Sequence, residues 1–157
     1  MNLLDVNVLL AIRYEVQPNH LKAMRWIQRV KSICIDTQPF ATCSIVELGF
    51  IRIASSQAVL AGNLETARTD LQRLKTSLGL KFLSDDLDGN QLPDWVTKSK
   101  QTTDGHLLEL ASRYGMQLAT LDSGIPGALL IPEYDRTHGD PSSTVHESRP
   151  PFYGAVA

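Results

Sequence analysis

Four acidic residues, Asp5, Glu47, Asp104 and Asp122, stand where hydrophobic runs end or where helices are expected to begin. Asp5 follows Met1-Asn2-Leu3-Leu4, and Asp122 closes Leu118-Ala119-Thr120-Leu121. Glu47 and Asp104 each fall in the first turn of an expected helix. An open α/β sheet binds ligands beyond the carboxyl ends of its strands, so this placement can gather the four carboxylates. An all-oxygen donor set without Cys or His beside it suits a hard divalent cation, Mg2+ or Mn2+. Such a cation activates water for attack on a phosphodiester, and a second would stabilise the leaving oxygen. The expected chemistry is metal-dependent hydrolysis of a phosphate ester.

Each acid also has a structural explanation. Glu47 fits a capping box with Ser44. Asp104 favours a helix N-terminus through the macrodipole whatever its function. Asp122, ahead of Ser123-Gly124, suits a turn. Asp5 is the hardest to explain away, because an ionised acid in an apolar run is costly without a partner.

The elements that must position these acids follow from hydrophobic periodicity. Residues 1–6 form a short buried strand ending near Asp5, and residues 7–12 begin a helix or turn. Leu21, Met24, Ile27 and Val30 recur at helical spacing with Lys22, Arg25 and Arg29 between them, and Asn19 stands in the capping position. Residues 32–36, with Ile33-Cys34-Ile35, make a second strand. The helix carrying Glu47 runs on through Leu48, Phe50, Ile51 and Ile53. Residues 55–78 hold one or two more helices, with Leu64, Ala67, Leu71, Leu74 and Leu78 as an apolar stripe. Residues 81–83 are a third strand, and residues 91–98 a short helix bearing Trp95. Thr103-Asp104 opens a helix that ends near Gly115; residues 116–121 and 127–131 are the fourth and fifth strands. Strands alternating with helices indicate a parallel sheet covered on both faces. Beyond Pro132 the periodicity is lost, so residues 1–132 form one domain and residues 133–157 an irregular C-terminal tail.

Composition narrows the class. A chain of 157 residues, 43% apolar and 20% charged, can bury a substantial core. A net charge of −2 argues against gripping nucleic acid by bulk electrostatics, although bound cations would offset a local cluster of carboxylates. No uncharged stretch is long enough to span a bilayer, and the opening MNLLDVNVLL lacks a basic region ahead of its apolar residues. A cytoplasmic location is the default expectation. Cys34 and Cys43 lack zinc-site spacing, and Cys34 reads as a small buried hydrophobe. The acidic loop over residues 84–88 fits a solvated segment or a cation attractant, with the former preferred.

The motifs Leu3-Leu4-Asp5-Val6-Asn7-Val8-Leu9-Leu10, Ser44-Ile45-Val46-Glu47-Leu48, Thr103-Asp104 with Leu107-Leu108-Glu109-Leu110-Ala111, and Leu118-Ala119-Thr120-Leu121-Asp122 resemble, in order, those of PIN domains. Within that family the chain is most similar to VapC-type ribonuclease toxins of toxin–antitoxin pairs. The resemblance covers about residues 1–132. It implies a three-layer α/β/α sandwich with a central parallel sheet of about five strands, and Mg2+-dependent endoribonuclease activity. By motif, Asp5 and Asp104 are the principal metal ligands, while Glu47 and Asp122 complete the pocket. Asn7, Thr103 and Thr120 would orient those carboxylates. The resemblance further implies an RNA substrate, a small antitoxin that blocks the pocket, and a homodimer. Residues 98–102 lack the Gly-His pair often found before the Thr-Asp motif; His106 follows it instead and is assigned no catalytic role.

Other functions fit less well. An aspartyl phosphatase would place a second Asp two residues after the first, where Asn7 stands. A phospho-accepting receiver domain needs paired acids after its first strand, and no glycine-rich nucleotide loop occurs. The remaining alternative is a PIN-like module that binds RNA or protein without cutting.

Overall fold

The computed structural model describes residues 1–34 and 37–133. Its centre is β1 (Asn2–Leu4), flanked on one side by β2 (Phe40–Cys43) and on the other by β4 (Gln117–Thr120). The outer strands are β3 (Lys81–Leu83) and β5 (Leu129–Leu130), giving the order β3-β2-β1-β4-β5. Every pairing is parallel. Leu3 and Leu4 are fully buried, which is worth roughly 1.5–3 kcal/mol for each side chain. Burial on both faces explains how so short a strand holds the middle of the sheet.

Between these strands run α1 (Val6–Arg13), α2 (His20–Ile33), α3 (Ser44–Ser56), α4 (Leu64–Leu78) and α5 (Thr102–Arg113). Helices α1 to α4 pack on one another, whereas α5 packs on β1 and β4. The result is a three-layer α/β/α sandwich. Trp26 of α2 lies on Phe40 of β2 with ring centres 5.6 Å apart, and Tyr14 stacks on Phe50 at 6.0 Å. These aromatic residues serve the core. No helix among the described residues is long and apolar enough to cross a membrane.

Four expectations require correction. The second strand does not begin at Ser32: Ser32 and Ile33 complete α2, Cys34 caps it, and residues 35–36 lie outside the described residues. The strand is instead Phe40–Cys43, a run buried on both faces and therefore without polar alternation. Cys34 is half-buried, and Cys43 is the thiol that enters the core; both are free. Residues 91–98 carry turns rather than a helix, followed by a 3-10 turn at Ser99–Gln101. Asn19 precedes α2 but makes no side-chain cap bond. The tail expected over residues 133–157 lies, from residue 134 onward, outside the described residues.

The strand order fixes where a ligand should sit. From β1 the chain moves outward through β2 to β3, then returns to the other side of β1 for β4 and β5. The direction reverses between β1 and β4, and a crevice opens at the carboxyl ends of strands flanking such a reversal. Asp5 follows β1, and Asp122 lies two residues beyond β4.

Candidate active site

Parallel pairing sets Leu4 beside Ala119, and the backbone amide of Asp5 donates to the Ala119 carbonyl at 3.0 Å. The same register brings Thr120, 115 positions away in sequence, against the Asp5 side chain. Thr120 Oγ1 donates to Asp5 Oδ2 at 2.7 Å, and Asn7 Nδ2 donates to the same oxygen at 2.7 Å. Asp5 Oδ1 accepts from the Val6 amide at 2.6 Å, so this residue also caps α1. Asp5 is only 6% exposed. Burial raises its affinity for a proton, while the bonds from Thr120, Val6 and Asn7 pull in the opposite direction; the nearby charge of Asp122 raises it again. The balance lies above the ordinary carboxylate value.

The network extends to β4. Asn7 Nδ2 also donates to Thr120 Oγ1 at 3.1 Å, and Asn7 Oδ1 accepts from the Leu121 amide at 3.1 Å. The Asp122 amide donates to Thr120 Oγ1 at 3.1 Å, while Asp122 Oδ1 accepts from the Gly124 amide at 2.7 Å. The carboxylate is thus fixed by its own turn. Asp104 arrives from the first turn of α5, half-buried. Its proton affinity is raised by burial first, then by the charges of Asp5 and Asp122. That mutual influence identifies the three aspartates as one electrostatic group.

Asp5, Asp104 and Asp122 line a single cleft of about 540 Å³, together with Asn7, Thr103 and Arg52. Val6, Leu10, Ile45, Leu48 and Ile53 supply its apolar walls. Thr103 lines the cleft but makes no hydrogen bond to these carboxylates among the described residues, whereas Asn7 and Thr120 hold Asp5 directly.

Glu47 is not brought into this group. Helix α3 takes Cys43 as its N-cap, in extended conformation, so Ser44 is already helical and Glu47 stands one position beyond the capping-box site. The expected Ser44–Glu47 box therefore does not form. Glu47 turns toward α4 and pairs with Lys75 Nζ at 2.7 Å. It lines a separate groove with Ile51, Leu64, Arg68 and Leu71. The acidic loop is also internally partnered: Asp85 accepts from His106 Nε2 at 2.8 Å, and Asp86 from Arg113 Nη2 at 2.8 Å.

Two residues escaped sequence reasoning. Arg52 shares the cleft-facing side of α3 with Ile45, Leu48 and Gly49, a pattern visible in their spacing of three and four. Asp70 is 2% exposed and accepts from Arg13 Nη2 at 2.6 Å and Tyr14 Oη at 3.0 Å, tying α1 to α4. Its partners mark it as part of the framework.

The donor chemistry fits a hard cation. The three convergent side chains offer only oxygen, and magnesium is commonly held by one or two carboxylates with water completing its shell. Among the described residues no group of three or more His, Cys, Asp or Glu is placed to hold a metal ion by itself. Water-completed coordination is the arrangement these residues suit.

No family model matches the chain. Curated relatives do. Ribonuclease VapC38 of Mycobacterium tuberculosis is 34% identical over 129 residues, covering 80% of this chain and 87% of the relative. Ribonuclease VapC39 of Mycobacterium tuberculosis is 33% identical over 131 residues, covering 78% and 89% respectively. Ribonuclease VapC29 of Mycobacterium tuberculosis is 32% identical over 139 residues, covering 83% and 96%.

Proposed function

Because this chain belongs to the VapC family of PIN-domain ribonucleases, we propose that it is an Mg2+-dependent endoribonuclease acting as the toxin of a toxin–antitoxin pair. The single observation that carries the reading is the convergence of Asp5, Asp104 and Asp122 on one cleft at the β1/β4 reversal. Asp5 and Asp104 are the principal ligands in this reading, and Asp122 contributes directly or through water. Mn2+ is a suitable substitute. When bound, such an ion lowers the pKa of coordinated water and offsets negative charge on the phosphate.

The chain's own residues perform the preparatory work. Thr120, Asn7 and the Val6 amide favour the ionised form of Asp5 against its burial. The Gly124 amide holds Asp122 in its turn. Val6, Leu10, Ile45, Leu48 and Ile53 give the cleft an apolar lining, and a less polar surrounding strengthens the electrostatic interactions inside. Hydrolysis by water leaves a 5′-phosphate and a 3′-hydroxyl, since the ribose 2′-hydroxyl is not the attacking group.

A small antitoxin would cover the acidic edge, with a basic residue among the carboxylates, and a homodimer is the expected assembly. The chain acts in the cytoplasm on this reading. Purified protein freed of inhibitor should cleave single-stranded RNA with Mg2+, lose activity in EDTA, and yield products ending in 5′-phosphate. Absence of cleavage, with RNA binding retained, would favour a non-catalytic binding module. Products carrying 2′,3′-cyclic phosphate would contradict attack by water.

A further inference from the structure

We propose that Arg52 holds a backbone phosphate of the RNA at the rim of the acidic cleft, an inference that rests on the ribonuclease reading above. Arg52 is the single cationic side chain among the described residues lining that cleft, which Asp5, Asp104 and Asp122 also line. A polyanion entering a hollow lined by carboxylates alone would be repelled at close range. One guanidinium at the rim gives it a point of attachment.

Its lack of an internal partner is the second observation. Arg13, Lys22, Arg73, Lys75 and Arg113 all form ion pairs. Arg52 forms none among the described residues, despite three aspartates in the same cleft. Arg52 is exposed, and its guanidinium makes no hydrogen bond among the described residues. The planar fork of arginine matches two oxygens of a phosphate and is weakly hydrated, so the loss of solvent on binding is small.

The backbone explains why this arginine is held beside the acids. Gly49 lies three positions before it on the same face of α3. A Cβ at Gly49 would meet Val6 Cγ2 at 2.8 Å, so the missing side chain lets α3 rest directly on the first residue of α1. Val6 is the neighbour of Asp5. The contact therefore ties the helix carrying Arg52 to the start of the helix capped by Asp5.

The test compares wild type, Arg52→Gln and Arg52→Lys on a labelled single-stranded RNA. Steady-state cleavage with Mg2+ is measured alongside RNA binding in an Asp104→Asn background, which suppresses turnover. Arg52→Gln should raise KM and the RNA Kd about tenfold while kcat changes less than about twofold. The slope of log K against log salt should fall by about 0.7, the contribution of one phosphate contact to a single strand. Arg52→Lys should recover the salt slope but only part of the affinity, because a point charge replaces the fork. The melting temperature should move by less than about 2 °C, as for an exposed surface position. Unchanged Kd and salt slope in Arg52→Gln would overturn the assignment. Failure of wild type to cleave, with an Arg52-dependent Kd, would sink the ribonuclease reading and leave the phosphate contact standing.

Discussion

Thr120→Val removes one hydroxyl from the centre of the β1/β4 junction and preserves the shape of the side chain. That oxygen is fully buried; it donates to Asp5 at 2.7 Å and accepts from Asn7 and the Asp122 amide, each at 3.1 Å. The lost bond to an ionised carboxylate is worth about 1.5–3 kcal/mol. Asn7 Nδ2 keeps its second acceptor on Asp5, but the partly buried Asp122 amide is left without one, adding about 1 kcal/mol. The expected loss is about 2.5–4 kcal/mol, or roughly 5–16 °C in melting temperature for a domain of this size. Thr120→Ser keeps the hydroxyl and sacrifices one methyl group, at about 0.8 kcal/mol. The pH dependence separates the mechanisms. Burial raises the Asp5 carboxyl above its ordinary value, and the Thr120 bond opposes that rise by favouring the charged form. The penalty of Thr120→Val is therefore full above the Asp5 pKa and shrinks as pH falls through it. Urea unfolding of the three proteins across acid pH measures this directly. Equal stabilities for Val and Ser, or a Val penalty independent of pH, would refute the argument.

Other perturbations test separate parts of the account. Asp104→Asn should abolish RNA cleavage without lowering the melting temperature of metal-free protein. The raised Asp104 carboxyl means that the folded state binds more protons than the unfolded chain, so wild-type stability falls as pH rises through that interval. The amide removes the penalty, and the mutant's advantage should disappear once pH drops below about 4, where both carboxyls are protonated. Glu47→Gln, by contrast, should reduce cleavage far less than Asp104→Asn and cost about 1 kcal/mol or less in urea unfolding, because its partner is Lys75 of α4. Cleavage equally lost in both variants would place Glu47 back among the ligands. Asp70→Asn should destabilise by about 2–3 kcal/mol, below the range for a fully buried pair because the Arg13 side chain is 34% exposed. A thermal shift indistinguishable from wild type would show that the α1–α4 tie is dispensable.

Much of this architecture was legible in residue order, and the failures have physical causes. Parallel strands ending in Asp5 and near Asp122 follow from two apolar runs separated by helical segments, and the sheet order sets those ends beside each other. The second strand was obscured because Ile33-Cys34-Ile35 looks more strand-like by residue type than Phe40-Ala41-Thr42-Cys43. Ile33 ends α2, 72% exposed, and Cys34 caps that helix; Phe40–Cys43 is buried throughout. Tertiary burial overrode intrinsic preference. Glu47 illustrates a different failure. Its helix lies where the spacing predicts, but shifting the N-cap from Ser44 to Cys43 removes the capping box, and Lys75 provides a partner from an element distant in sequence. Side-chain direction on a helix depends on neighbours that a linear reading does not supply. Asp70 was missed for the same reason, since its partners come from α1.

The most direct measurement is titration of Mn2+ followed by electron paramagnetic resonance, which reads occupancy without requiring turnover. Wild type should bind saturably, and Asp5→Asn, Asp104→Asn and Asp122→Asn should each weaken binding by about tenfold or more. Glu47→Gln should bind as wild type does. Manganese affinity that is indifferent to all three aspartates would contradict the proposed cation site, and with it the hydrolytic role assigned to this cleft.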